Sequence, residues 1–487
     1  MLSALAHLQG RAQPTALYRH RGLSSDPLCV VAWQLGAEPY SVAAIAIGRR
    51  DAGFRLFVPG YPLDRDLLFA ALLDFAKAFC PAFEGYMRGP CEAVPHRGEE
   101  LVVPTELPQI VVANMGTIHL LGRLGRRLAY LPTTGENPAD PLLPRLGRHL
   151  MWIAEHAQVP GQQLILPVTE LLSRHYAAAL SALEAQSLSA MDAWIDPPAD
   201  AHGFHAAEQA ERQAVGPVPA PEDGQRVHNL MKTFNERRAG RKDPKIVRNL
   251  SKDLRMLYDD MTAATWRLIW KVIDRERTRA EAASVGRRAR EDRIAYARHI
   301  QWMLGPVEGR RKTRSTPRAA ALRLAELEQA NRLLTAEEAI DDPLRMAPHL
   351  LAGKALAGDV IGRDDARREL INGRKCLRPS VTLRTQEPCL IPAHTELWWT
   401  NTSDGREWLI DRVVASGDGC VVTLVLQTNR CDAEDLPVVG SRACFSQFNT
   451  RPGYELVLPT EVPWTHRSAP PPTATDLDYG EMRGHAA

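Results

Sequence analysis

Cysteine is sparse in this chain: eight residues in 487, no two of them spaced C-x-x-C. Secreted disulfide scaffolds are short and cysteine-dense, so that class is excluded and reduced, buried thiols in a cytoplasmic protein are expected. No uninterrupted apolar run reaches the roughly 18 residues that a membrane-spanning helix needs. The best candidate, 28–47, is broken by Gln34, Gly36, Glu38 and Pro39, so no membrane partner is expected. Acids are absent from residues 1–25, which carry Arg11, Arg19 and Arg21. Such a segment reads either as an organellar transit peptide or as a short N-terminal helix of a bacterial protein. Lysine is also scarce, nine against 51 arginines, with alanine and proline abundant. That bias suggests a high-GC genome and favours the bacterial reading.

Catalytic signatures are missing too. There is no G-x-x-x-x-G-K-[ST] and no G-x-S-x-G. The stretch Gly116–Gly125 (GTIHLLGRLG) departs from G-x-G-x-x-G, and its Ile118–Leu121 read as packing residues. His202 and His205 lie near Asp200 without a second cluster to complete a tetrahedral site. Cys420, Cys431 and Cys444 are too far apart for the close-spaced pairs of structural zinc. Neither a metal nor a cofactor is expected.

What is present is ordinary globular composition, 45% hydrophobic and 24% charged, in a length that predicts several domains. The sequence reads as a multidomain α+β protein. Residues 1–196 form an N-terminal α/β domain, 197–226 a Pro-rich linker and 227–375 a basic all-α domain. Residues 376–467 form a small β-barrel of OB or SH3-like type, and 468–487 a disordered tail. In the first domain, Leu28–Trp33, Ser41–Gly48 and Phe54–Val58 are strand-length apolar runs. Leu63–Phe79 has helical spacing with Asp64 near its start, Ile110–Ala113 is a buried strand, and Ala129–Leu131 a further one. Leu142–His156 and Val168–Leu188 read as longer helices.

In the middle region Asp243–Pro244 opens a helix whose apolar positions recur at Val247, Leu250, Leu254, Leu257, Met261, Leu268 and Val272. A second helix ends at Leu304 before Gly305–Pro306, and Thr316–Pro317 starts a third. The spacing of Thr335 and Glu338 fits a capping box opening a fourth, and Asp364–Ile371 closes the region. Thr395–Thr400, Trp408–Ala415, Val421–Thr428, Ala443–Phe448 and Tyr454–Leu458 are the barrel strands.

Charge is strongly segregated. Residues 225–335 carry 27 Lys plus Arg against 13 Asp plus Glu, a net of +14, in a chain whose total is +2. Lys245, Arg248, Lys252 and Arg255 share one helix face, and Arg267, Lys271 and Arg275 form a second ladder. Arg287, Arg288, Arg290 and Arg293 crowd a short stretch, and Arg310, Arg311, Lys312 and Arg314 follow in a loop. Like charges at i, i+4 repel, so they need solvent screening or an anionic partner. Neutralising phosphates releases counterions, which dominates non-specific nucleic-acid affinity. Tryptophans Trp266, Trp270 and Trp302 read mainly as core. Adjacent Trp398 and Trp399 must point to opposite faces of their strand.

The function expected is therefore nucleic-acid binding, DNA ahead of RNA, by a non-catalytic subunit of a bacterial multi-protein system with a protein partner. Its contacts would be Arg248, Lys252, Arg255, Arg267, Lys271, Arg275, Arg287, Arg288, Arg290, Arg310, Arg311, Lys312 and Arg314. Two alternatives stand beside it. The strand–strand–strand–helix start of residues 28–190, with the strand–helix piece Ile110–Leu124, resembles an RNase H-like or 3′–5′ exonuclease core. That resemblance implies a metal-dependent nuclease, with Asp64, Asp66, Glu106 and Glu170 as candidate acids. Such enzymes carry acids on the first strand, and Cys29–Leu35 has none. The other alternative is a scaffold whose cations bind an acidic protein.

Overall fold

The computed structural model describes residues 1–36, 41–96, 98–213, 215–238, 244–305, 316–401, 405–427 and 436–450. Helix α1 (Leu2–Gln9) opens the chain. Strands β1 (Leu28–Gln34), β2 (Val42–Arg49) and β3 (Gly53–Phe57) follow, then helix α2 (Arg65–Glu84) and the hairpin β4 (Cys91–His96)–β5 (Glu99–Pro104). Strand β6 (Ile110–Val112) leads into α3 (Met115–Ala129) and α4 (Leu142–His156); β7 (Ile165–Pro167) leads into α5 (Val168–His175), α6 (Leu188–Ile195) and α7 (Gly203–Ala210). The sheet order is β3-β2-β1-β6-β7. Pairing is antiparallel across β1, β2 and β3 and parallel from β1 through β6 to β7.

The apolar run of β1 is explained by burial on both faces. Cys29, Val31 and Trp33 enter one core, and Leu28, Val30 and Ala32 enter the other. Asp64 caps α2 by accepting from the backbone N–H of Asp66 and Leu67, and Asn114 caps α3 through Thr117.

Helices α8 (Pro221–Arg238), α9 (Pro244–Arg277), α10 (Val285–Leu304), α11 (Pro317–Asp341) and α12 (Pro343–Leu351) make up the middle region. Among the described residues, 227–304 contribute to cores shared with residues 1–196 rather than to a separate one. The later part of α9 covers one face of the sheet, where Trp33 Nε1 donates to Thr262 Oγ1 across 3.0 Å. Trp266, Ile269, Trp270, Val272 and Ile273 share the core of Trp33 and Val31. On the other face Tyr296 and Ile300 of α10 pack with Phe79 and Phe83 of α2, and the Tyr296 hydroxyl donates to Phe83 O. The boundary expected at 226/227 therefore cuts through a shared core.

The 197–226 segment is a packed connection rather than a free linker. It contains α7, buries Val215 and Ala220, and is held by Asn114 Nδ2 donating to Gly216 O at 2.7 Å. Other local expectations are corrected by tertiary contacts. Val168–Leu188 is not one helix: α5 stops at His175, and Tyr176–Ala177 pairs with Gln13–Pro14. Ala129 ends α3, and Leu131 follows outside any strand. Thr335 does not cap a new helix, because its hydroxyl bonds back to Asn331 O and α11 runs on to Asp341. The cap of α12 is Asp342, which accepts from Leu344 N.

The barrel begins earlier than residue 376. Strands β8 (Ala355–Asp364), β9 (Arg368–Ile371), β10 (Arg374–Leu377), β11 (Ser380–Thr385), β12 (Glu396–Trp399), β13 (Glu407–Ser416), β14 (Gly419–Leu426) and β15 (Arg442–Ser446) follow α12. Six of them close in the order β8-β11-β14-β13-β12-β15. Asp364–Ile371 does not close the helical region. Instead β9 and β10 form a hairpin through Asn372–Gly373, both at positive φ (49° and 76°). Asn-Gly is the pairing that suits a two-residue turn of this kind. Trp408 and Phe445 fill the barrel core, Trp399 packs against it, and Trp398 is half-buried on the opposite side of its strand. Tyr454–Leu458 and 468–487 lie outside the described residues.

Candidate nucleic-acid interface

The structure divides the cations of the middle region into groups with different surroundings. Where α9 precedes the sheet, it packs mainly on α8, through Leu250, Leu254 and Met261 against Val227 and Met231. Its opposite side is left open. Arg248, Lys252 and Arg255, spaced i, i+4, i+7, occupy that side and are exposed. Further along α9 the same helical face carries Thr262 and Trp266, which are buried against the sheet. The row of cations thus ends where the helix meets the domain. Arg267 on α9 and Arg290 on α10 are also exposed. None of these five forms an ion pair among the described residues.

Four other expected contacts are answered inside the chain. Lys271 Nζ and Arg275 Nη1 both reach the nearly buried Asp192 of α6, at 2.8 Å and 2.6 Å. Arg287 bridges Glu291 on its own helix and Glu337 on α11. Arg288 is only 5% exposed; it donates to His20 O at 3.0 Å and faces Glu337 at 3.4 Å. Burial pulls the Arg288 pKa below the ordinary arginine value, with Glu337 opposing that fall. Arg293, from the same stretch, holds Glu92 of the β4–β5 hairpin at 2.6 Å. These side chains tie α9 and α10 to neighbouring elements, so a single continuous track over both ladders is replaced by a shorter row. Arg310, Arg311, Lys312 and Arg314 lie outside the described residues.

Two acids of the nuclease reading, Asp64 and Glu106, serve local structure. Asp64 is a helix cap, and Glu106 Oε1 accepts from Ser25 N at 2.8 Å and from the Ser24 hydroxyl. Asp66 and Glu170 are exposed in the first turns of α2 and α5. Among the described residues one group places three ligand-type side chains within 4.8 Å of one another: Cys80, Glu84 and His149. None of the four candidate acids belongs to it.

That group is part of a buried polar chain which sequence spacing did not reveal. Arg145 grips Glu84 with two bonds, 2.7 Å and 2.5 Å. His149 Nε2 donates to Glu84 Oε1 at 2.8 Å, and its Nδ1 accepts from His299 Nε2 at 3.0 Å. His299 stacks on Trp152 with 4.3 Å between centroids, and Trp152 stacks in turn on His156. His156 Nε2 donates to Asp292 Oδ1 at 2.9 Å. Helices α2, α4 and α10 are joined by this chain. Burial raises the Glu84 carboxyl, but bonds from His149 and Arg145 outweigh it and hold the group below the usual carboxylate range. Burial pushes the Cys80 thiol up to about 12. With both Glu84 oxygens engaged by Arg145 and His149, the donor set suits a closed hydrogen-bonded network better than a metal, which would have to displace a guanidinium.

A second buried network anchors the N-terminal segment. Asp342 Oδ2 accepts from Leu17 N (2.6 Å), Tyr18 N (3.0 Å) and His20 Nε2 (3.2 Å), and His175 Nδ1 meets Glu276 Oε2 at 2.7 Å. His202 Nε2 donates to His7 O, and its ring caps α7, so the 200–205 cluster is a local tie between helices. Cys420 is buried and shares a contact with Thr385; Cys431 lies outside the described residues. No helix among the described residues is long and apolar enough to cross a membrane. The chain matches no protein-family model, no curated protein and no solved structure.

Proposed function

We propose that this chain is a nucleic-acid-binding protein, DNA ahead of RNA, that acts as a non-catalytic subunit beside a protein partner. The observation that carries the reading is the row Arg248, Lys252 and Arg255: exposed, on one face of α9, with no ion pair among the described residues. Three cations at that spacing repel one another, and a polyphosphate strand relieves the repulsion while releasing its own counterions. The non-catalytic part rests on the first strand, where Leu28–Gln34 carries no acid to hold a metal.

The test is a salt titration of binding to a duplex and to a single strand, followed by fluorescence anisotropy. The wild-type chain gives a steep linear fall of log affinity with log salt. The triple variant R248A/K252A/R255A flattens the duplex slope by roughly 2–3, at about 0.9 for each phosphate that is no longer neutralised. Failure of the wild type to bind either nucleic acid in a salt-dependent way removes the reading, and metal-dependent cleavage removes its non-catalytic part.

A further inference from the structure

Between α8 and α9 lies an open groove of about 560 Å³. Its walls include Asp253, Met256 and Asp260 from α9 and Asn229, Leu230 and Thr233 from α8. We infer that this groove receives an unpaired base of a single-stranded nucleic acid, selecting bases that carry an exocyclic amine, while the phosphates lie along Arg248, Lys252 and Arg255. The inference rests on the proposed function and names the form of nucleic acid that it concerns.

Three features of the chain support it. First, each cation immediately precedes a groove residue: Arg248 before Asn249, Lys252 before Asp253, Arg255 before Met256. Successive residues are about 100° apart around a helix with 3.6 residues per turn, so the cation row and the groove are adjacent faces of one rod. A strand lying along α9 thus meets positive charge on one side and the groove on the other. Second, the groove offers carboxylate acceptors along its α9 wall, while Arg226, the cation that lines it from α8, pairs with Asp223 at 3.4 Å. Asp253 and Asp260 are exposed there and form no ion pair among the described residues. Carboxylates accept from base amines, as in the recognition of the cytosine N4 amine. Third, Leu230, Met256 and Leu257 give the groove apolar surface against which a flat ring loses water. A paired base inside a duplex presents neither its faces nor its pairing edge, so only an unstacked base can enter.

The experiment compares oligo(dC) and oligo(dT) of equal length, whose phosphates are identical while thymine carries no exocyclic amine. The full-length chain is expected to bind oligo(dC) about tenfold more tightly than oligo(dT), and more tightly than a duplex of the same length. In D253N/D260N the preference for oligo(dC) falls below about twofold, while the salt slope for either oligonucleotide stays that of the wild type. Both aspartates are exposed on a helix, so the variant keeps the fold, and an unchanged far-UV circular dichroism melt verifies this. Equal binding of the two oligonucleotides by the wild type, or a preference that survives D253N/D260N, overturns the inference and leaves the phosphate-binding row standing. Absence of salt-dependent binding to every probe instead overturns the proposed function itself.

Discussion

His149 is completely buried, and its Nε2 donates to Glu84 Oε1 across 2.8 Å, joining α4 to α2 inside the core. Burial is the largest influence on this ring and holds its pKa below the ordinary histidine value, although Glu84 pulls the other way. His175 and His20 are likewise fully buried and lowered by burial, with Glu276 and Glu338 opposing. The folded state therefore keeps these rings neutral, while an unfolded histidine takes up a proton below about pH 6.5. Between that pH and the lower folded pKa, the unfolded chain binds more protons, so stability falls as the pH falls. Urea melts at pH 7.5 and 5.5 should show a lower midpoint at pH 5.5 with an unchanged m value, and H149F should weaken that dependence. A midpoint that does not move over this range would contradict the neutral state assigned to the rings.

Arg288 and Glu337 provide a second test, across α10 and α11. Both are almost fully buried, and burial pushes the Glu337 carboxyl above the usual range while Arg287 and Arg288 draw it back. Removing one partner of a buried ion pair leaves an uncompensated charge, which typically costs about 3–5 kcal/mol. E337Q is expected to destabilise the protein by about 3 kcal/mol, because Arg288 keeps its bond to His20 O. E291Q removes only the exposed partner of Arg287 and should change stability by less than about 1 kcal/mol. Chemical denaturation of the two variants separates these values; equal losses would show that the α10–α11 contact does not depend on the buried pair.

Much of the α/β core was legible because its signals are local. The apolar runs at Leu28–Gln34 and Val42–Arg49 are strands, Asp64 caps α2, and Leu142–His156 is a helix with those bounds. The three-to-four spacing from Leu250 to Val272 marks α9, but periodicity does not tell that its earlier part packs on α8 and its later part on the sheet of residues 28–57. The hairpin at 368–377 lacks the period-2 alternation of a strand, since each half sets two polar residues before two apolar ones (RELI, RKCL), although Asn372–Gly373 is the local mark of a two-residue turn. The candidate site was legible only as a count of cations. Lys271 meets Asp192 from 79 positions away, and Arg293 meets Glu92 from 201. Ion pairs at such separations leave no spacing to read, so free and engaged cations look alike in the sequence.

Lys271 and Arg275 sharpen that distinction into an experiment. Both answer the carboxylate of Asp192, which is 6% exposed at the junction of α6 and α9. Lys271 itself is half-exposed, so its bond is screened and contributes little. Arg275 is more enclosed, and its loss leaves Asp192 with the weaker partner alone. K271A is expected to change stability by under about 1 kcal/mol, and K271A/R275A by about 2–3 kcal/mol as the buried carboxylate loses both partners. Neither change should alter the salt slope of nucleic-acid binding by more than about 1, because neither cation is available to a phosphate without first releasing Asp192. R248A/K252A/R255A should behave in the opposite way, with stability within about 1 kcal/mol of the wild type and a slope reduced by roughly 2–3. Thermal melts and anisotropy titrations on the same preparations read both quantities. If the K271A/R275A variant loses slope while keeping its stability, the ladder on the later part of α9 contacts nucleic acid and the division between free and engaged cations is wrong.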